Sequence, residues 1–241
     1  MLRHLLLFLV LGLHQIGCTN RPPNPDTPDV IFFVHGAGGD GSYYDGLIRG
    51  LRAGGANAHM EFLSWGMPGA LFVMNLQSDA IHRPAEEKLA HALRDWKAEH
   101  PGARIDILSH SAGGGVTLGA LSHPDCPLIH TAVLLNPSVS PGYDLASALG
   151  RITGQLHVFH SEKDTLFLSW RTGTFGTYDN VKTKAAGNTG FTGLERLPAG
   201  LRQKLVQHPH LEEYEAMGND GGHFGTCAEA FSKAALSPLL R

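Results

Sequence analysis

Residues 105–114 read Ile105-Asp106-Ile107-Leu108-Ser109-His110-Ser111-Ala112-Gly113-Gly114. A run of Ile and Leu suited to a buried strand passes abruptly into small residues suited to a helix lying close on a sheet. The pattern predicts a strand over Arg104–Leu108, a sharp turn at Ser111 and a helix over Ala112–Leu121. A side chain held at such a corner sits on strained backbone, and its neighbours two positions away must be small to clear it. Ser109 and Gly113 meet that requirement. A serine that merely caps the following helix is the competing account.

Outward from this stretch the same alternation recurs. Val30-Ile31-Phe32-Phe33-Val34 predicts a strand buried on both faces, followed by a Gly-rich turn and a helix over Tyr43–Ala53. His59–Ser64, Thr131–Leu135 and Leu156–Phe159 predict further strands. Ala85–Glu99 is amphipathic, with Leu89, Ala92, Leu93 and Trp96 on one face and Glu86, Glu87, Arg94 and Lys97 on the other, and Pro101-Gly102 stops it. A last helix is expected over Thr226–Leu236. Strands alternating with helices indicate an α/β class with a parallel sheet, and residues 29–241 suffice for one such domain. The irregular stretch Arg171–Gly193, rich in Gly, Thr and Asn, is the segment expected to cover a site.

A serine hydroxyl is a weak nucleophile. It needs an imidazole to take its proton and a carboxylate to orient the imidazole. Ser161-Glu162-Lys163-Asp164 follows a strand, and Asn219-Asp220-Gly221-Gly222-His223-Phe224-Gly225 offers an imidazole on a Gly-rich turn. Asp164 is preferred to Glu162 and Asp179 as the acid, and His223 to His208 and His210, which flank Pro209. Upstream, His35-Gly36-Ala37-Gly38-Gly39 follows the first strand.

On these residues the chain resembles the α/β-hydrolase superfamily, its serine esterases and lipases in particular. Their elbow reads Gly-x-Ser-x-Gly, with Ser109 here in place of the first Gly. The resemblance implies a single-domain α/β-hydrolase fold with a mostly parallel central sheet flanked by helices, and a triad in the chain order Ser111, Asp164, His223. It also implies an oxyanion hole made by the Ala37 and Ala112 amides, with Gly38 as a substitute for Ala37, and a His35 that braces the turn rather than titrating. The expected activity is cleavage of carboxylic esters or related acyl compounds, small or lipid-like, through an acyl-enzyme and without a cofactor. Ala70–Met74 and Leu166–Leu168 are candidate acyl-pocket segments.

The same turn spells a rival. Gly36-Ala37-Gly38-Gly39-Asp40-Gly41 satisfies G-x-G-x-x-G, with Glu61 near where a ribose-binding acid would fall, so a dinucleotide-dependent oxidoreductase is one alternative. It leaves Ser111, Asp164 and His223 unexplained. A non-catalytic binding module on the same fold is the other. With 19 Lys and Arg against 22 Asp and Glu, the net charge of −3 excludes a broad basic face for nucleic acid. The 15 His invite a metal reading, but His157 and His160, three apart on a strand, point to opposite faces. Neither His-Glu-x-x-His nor Cys-x-x-Cys occurs, so no metal is expected.

The chain begins with a basic residue, Arg3, an apolar run over Leu5–Leu13, and Gly17-Cys18. The run is too short to span a bilayer and reads as a signal peptide over residues 1–17. Ile16-Gly17-Cys18 resembles a bacterial lipobox in which Cys18 is acylated, with Gln15 in place of the usual aliphatic residue. An ordinary secretory cut nearby is the alternative. Residues 18–28, rich in Pro, would form an extended tether. The protein is therefore expected to be exported and lipid-anchored to a bacterial membrane, otherwise periplasmic or secreted. Outside the cytoplasm Cys126 and Cys227 either pair or remain two free thiols.

Overall fold

The computed structural model describes residues 28–67, 74–164 and 176–241. The candidate signal peptide and Cys18 lie outside these residues, as do Ala70–Val73 and Leu166–Leu168 of the candidate acyl-pocket segments.

Val30–Val34 (β1), His59–Leu63 (β2), Ile105–His110 (β3), Thr131–Leu135 (β4), Leu156–His160 (β5) and Leu205–Pro209 (β6) form one sheet in the order β2-β1-β3-β4-β5-β6. Every neighbouring pair is parallel. Successive side chains on a strand point to opposite faces, and both faces are buried here, which explains the unbroken apolar runs. Val30, Phe32, Val34, Ile105, Ile107, Leu134 and Val158 pack on one side with Leu89 and Leu93 of a helix, α3, spanning Asp79–Glu99, and with Val116 and Leu118 of α4, Gly113–Ser122. Ile31, Phe33, Leu108, Val133, Leu135 and Phe159 pack on the other with Leu47 and Leu51 of α1, Asp45–Ala53, and with Phe231 and Leu236 near the carboxyl terminus. A short helix, α2, covers Met74–Gln77, and another, α5, covers Ala146–Gly150.

The structure departs from the pattern reading in three places. Gln207-His208-Pro209-His210 reads as an exposed turn, yet most of it is strand β6. That strand pairs only with β5, so at this edge the proline's missing N–H costs no ladder bond. Helix α3 starts at Asp79, ahead of Ala85, with Pro84 in its second turn, where a single intrahelical bond is forfeited. The expected helix over Thr226–Leu236 is broken into a 3-10 turn, Gly225–Cys227, a helical turn, Glu229–Phe231, and a π-turn, Ser232–Leu236. The looser π-turn brings Ser232 against Gly50 of α1 and is followed by Ser237 against Gly54, just after α1, two glycines that leave no room for a Cβ. From Thr177 onward the irregular segment lies along the loop after β4, with Tyr178 N–H donating to Ser138 O at 2.8 Å and Ala186 N–H to Val139 O at 2.7 Å.

From β1 the chain runs outward to β2, then returns across β1 to β3 and continues the other way. The carboxyl ends of β1 and β3 therefore border the point where the winding reverses, the crevice in which open α/β sheets bind ligands. His35–Gly39 and Ser111 lie directly after those two strand ends.

Candidate active site

Ser111 follows β3 at φ 55°, in the left-handed region that a non-glycine residue enters only under constraint from its surroundings. The constraint comes from two sides. A Cβ on Gly36 would come within 3.0 Å of Ser111 Cβ, and one on Gly113 would collide with the main-chain oxygens of Val34 and His35. These two glycines let the turn after β1 and the start of α4 close around the serine. Main-chain bonds then hold it, with Ser111 N–H donating to Leu135 O at 2.9 Å and Ser138 N–H to Ser111 O at 3.1 Å.

His223 Nε2 lies 3.0 Å from Ser111 Oγ, and His223 Nδ1 lies 2.7 Å from Asp164 Oδ2. An Nδ1–H donated to the carboxylate leaves Nε2 as an acceptor facing the serine proton. The three residues are 7%, 1% and 8% exposed for Ser111, Asp164 and His223, so little water competes for these bonds. Asp164 is fixed from three directions. Its N–H donates to Ser161 O at 3.1 Å, its carbonyl accepts from Asn188 Nδ2 at 2.8 Å, and Oδ2 accepts from Asn136 Nδ2 at 3.2 Å. The loop carrying His223 turns through Gly218 at φ 80° and Gly221 at φ 79°. Asn219 and Asp220 side chains accept from the Gly221 and Gly222 amides and stiffen it.

The competing residues are engaged elsewhere. Glu162 is exposed, and Asp179 accepts from Ser140 N–H at 2.8 Å and from Thr177 Oγ1 at 2.6 Å. His208 stacks on Phe159 and lies 3.0 Å from His157 Nδ1, while the His210 amide continues the edge pairing to His160 O. Glu61 sits in the middle of β2, level with Phe32, its carboxylate on His59 rather than at the carboxyl edge where a ribose would lie. Among the described residues no group of three or more His, Cys, Asp or Glu could hold a metal ion.

The turn after β1 is organised around a single peptide group. Gly36 O accepts from His35 Nδ1 at 2.7 Å and from Gly39 N–H at 3.1 Å. Because C=O and N–H of a trans peptide point oppositely, these bonds aim the Ala37 N–H away from them. His35 Nε2 in turn accepts from Trp65 N–H at 3.3 Å, and Trp65 Nε1 donates to His35 O at 2.8 Å. Burial lowers the His35 pKa and favours the neutral ring, and the bonds at Gly36 O and from Trp65 N–H select its Nδ1–H tautomer. Among the described residues neither the Ala37 nor the Ala112 amide has a protein acceptor. The Ala112 amide lies at the N-terminus of α4, where helix amides are left without intrahelical partners.

The Alpha/beta hydrolase family matches residues 31–237 of the chain. The chain belongs to that family. Solved structures agree in fold at low identity. A lipase-esterase related protein of Clostridium acetobutylicum superimposes with a TM-score of 0.54 at 12% identity, covering 90% of this chain and 96% of that one. An esterase of Pyrococcus furiosus gives 0.52 at 13% identity, covering 89% and 82%. The mature lipase BlEst2 of Bacillus licheniformis gives 0.52 at 15% identity, covering 91% and 94%. No curated protein matches the chain.

Several residues around this α/β-hydrolase site went unread in the sequence. His110, immediately before the serine, has Nε2 2.8 Å from His223 O and Nδ1 2.9 Å from the Tyr44 hydroxyl, which accepts from Gly36 N–H at 3.0 Å. Burial pushes the His110 pKa well below its ordinary value, helped by the His223 ring, and pushes that of Tyr44 well above. A neutral His110 donating from Nε2 must accept at Nδ1, so the network has one consistent set of protons. It ties the Gly36 turn to the His223 loop. Asn75 donates from Nδ2 to Ala37 O at 2.8 Å and accepts from Met67 N–H at 2.7 Å, joining that turn to the chain after β2. Asn136 and Ser138 follow β4, and the Ser138 hydroxyl lies 3.1 Å from Ser111 Oγ. Only the position of His110 beside Ser111 could have drawn attention in the sequence. The others are far away along the chain.

Proposed function

We propose that the protein is an exported serine hydrolase that cleaves carboxylic esters or related acyl compounds through an acyl-enzyme on Ser111. The observation that carries this reading is the unbroken chain of short contacts from Asp164 through His223 to Ser111 on a strained elbow. In it, Ser111 Oγ attacks the ester carbonyl while His223 Nε2 takes the proton, and Asp164 holds the imidazole in the tautomer that can accept it. The carbonyl oxygen, now negative, falls to the Ala37 and Ala112 amides, a donor pair each of which is worth about 3 kcal/mol of transition-state stabilisation. His223 returns its proton to the departing alcohol. Water, deprotonated by the same imidazole, then releases the acid and restores Ser111.

Export and lipidation rest on the pattern of residues 1–18. Where the described chain begins, Trp96 Nε1 donates to Pro28 O at 2.9 Å and Arg104 N–H to Asp29 Oδ1 at 2.7 Å, at the amino edge of the sheet. The described chain thus enters the fold at the edge of the sheet opposite the one that carries Ser111. Globomycin sensitivity and radiolabelled palmitate incorporation at Cys18, lost in Cys18→Ala, test the anchor.

The activity is tested with a fluorophosphonate probe and short nitrophenyl esters. Wild type is expected to label at Ser111 and hydrolyse the esters, and Ser111→Ala to do neither. Equal rates in both proteins would refute the assignment.

A further inference from the structure

We propose that Ser138 is a further catalytic residue, a hydrogen-bond donor to the attacking and leaving oxygen of Ser111; the inference rests on the serine-hydrolase reading above. The Ser138 hydroxyl is buried and lies 3.1 Å from Ser111 Oγ. Its main chain is held on both sides, N–H to Ser111 O at 3.1 Å and carbonyl to Tyr178 N–H at 2.8 Å, so the hydroxyl is aimed rather than free to wander.

The direction of this bond follows from counting protons. Ser111 has one, and it faces His223 Nε2, whose other nitrogen is committed to Asp164. Ser111 Oγ can then only accept from Ser138, which has its own O–H to give. No proton leaves Ser138 during the reaction. In acylation the Oγ–carbon bond forms, the Ser111 proton passes to His223, and the carbonyl electron pair moves to the oxyanion. Negative charge grows on Oγ as its proton departs, and the Ser138 O–H stabilises it there. In deacylation water gives its proton to His223 and attacks, the carbon–Oγ bond breaks, and Oγ recovers a proton from the imidazolium. The same donor again meets charge on Oγ, now as the leaving atom. Ala37 and Ala112 act on the other oxygen, so this contribution is separate from the oxyanion hole.

Ser138→Ala and Ser138→Cys are compared with wild type by pre-steady-state hydrolysis of a short nitrophenyl ester and by the fluorophosphonate labelling rate. Removing the donor should slow acylation and deacylation alike by roughly tenfold, with the thermal midpoint and the affinity for an unreactive amide analogue unchanged. The weak thiol donor in Ser138→Cys should give intermediate rates. A merely structural role would move the midpoint or the affinity and would not order the variants by donor strength. Rates within twofold of wild type in both steps overturn the inference while leaving the hydrolase reading intact. A wild-type Ser111 that neither labels nor turns over overturns the hydrolase reading itself, and the role of Ser138 with it.

Discussion

At the scale of single residues, the Tyr44 hydroxyl carries two demands at once: it accepts the Gly36 amide and meets His110 Nδ1. Tyr44→Phe keeps the ring packing on Phe33, 4.7 Å between centroids, but leaves the buried Gly36 N–H without an acceptor. We expect a loss of about 1–3 kcal/mol in urea unfolding and a fall of roughly tenfold in kcat, as the Gly36 turn and the His223 loop lose their common tie. Unchanged kcat for the nitrophenyl ester would show that the tie does not matter to catalysis. Asp164→Asn should cost much more, on the order of 10⁴ in kcat, because an amide that donates to His223 selects the wrong tautomer. Asp164 and His223 were legible from turn chemistry and chain order. Asn136, Ser138 and Tyr44 were not, because each is an ordinary residue whose importance arises from what lies across a hydrogen bond.

The elements show how composition becomes spacing. Helix α4 is rich in small residues, and the reason is visible on its outer face. A Cβ on Gly115 would run into the Tyr178 ring, and one on Gly119 into the Glu86 side chain. Tyr178 donates to Glu86 Oε1 at 2.8 Å against this shallow surface, and burial raises the pKa of both groups. Gly115→Ala should displace Tyr178, break that bond and lower stability by about 1–3 kcal/mol, as overpacking does. Near-ultraviolet circular dichroism and a denaturant titration would detect it, and a stability equal to wild type would contradict this packing. The close approach of α4 was readable from its small residues. Its partner was not, since Tyr178 and Glu86 are distant in the chain, and the half-exposed edge strand β6 lacks the apolar run that marks β1.

For the whole molecule, histidine burial sets the response to pH. His35, His82, His110, His157, His160 and His208 all have lowered pKa values, burial being the largest cause in each, with His157 lowered to about 4. Below about pH 6.5 the unfolded chain takes up protons that the folded chain refuses, so stability falls with pH, for His157 down to about 4. Glu86 and Asp106, with raised values, act in the opposite sense at the acidic end. The melting temperature is therefore expected to drop by on the order of 5–10 °C between pH 7 and pH 5. A flat or rising profile in a calorimetric scan would count against it. The cysteines respond at the same scale. Cys126 and Cys227 are free, buried and in the cores on opposite faces of the sheet, their thiols pushed up to about 11 and about 12. Neither should react with a thiol reagent until the protein unfolds, and rapid native-state labelling would refute this.

The sequence by itself determined the α/β alternation, the elbow at Ser111 and the turn after β1, because each is written in the periodicity and residue sizes of a short contiguous stretch. Tertiary structure alone decided that the two thiols are kept apart, that Tyr44 and His110 tie the Gly36 turn to the His223 loop, and that Ser138 lies against Ser111. Those outcomes depend on which strand ends the parallel sheet sets side by side, and strand order is a property of packing among elements far apart along the chain.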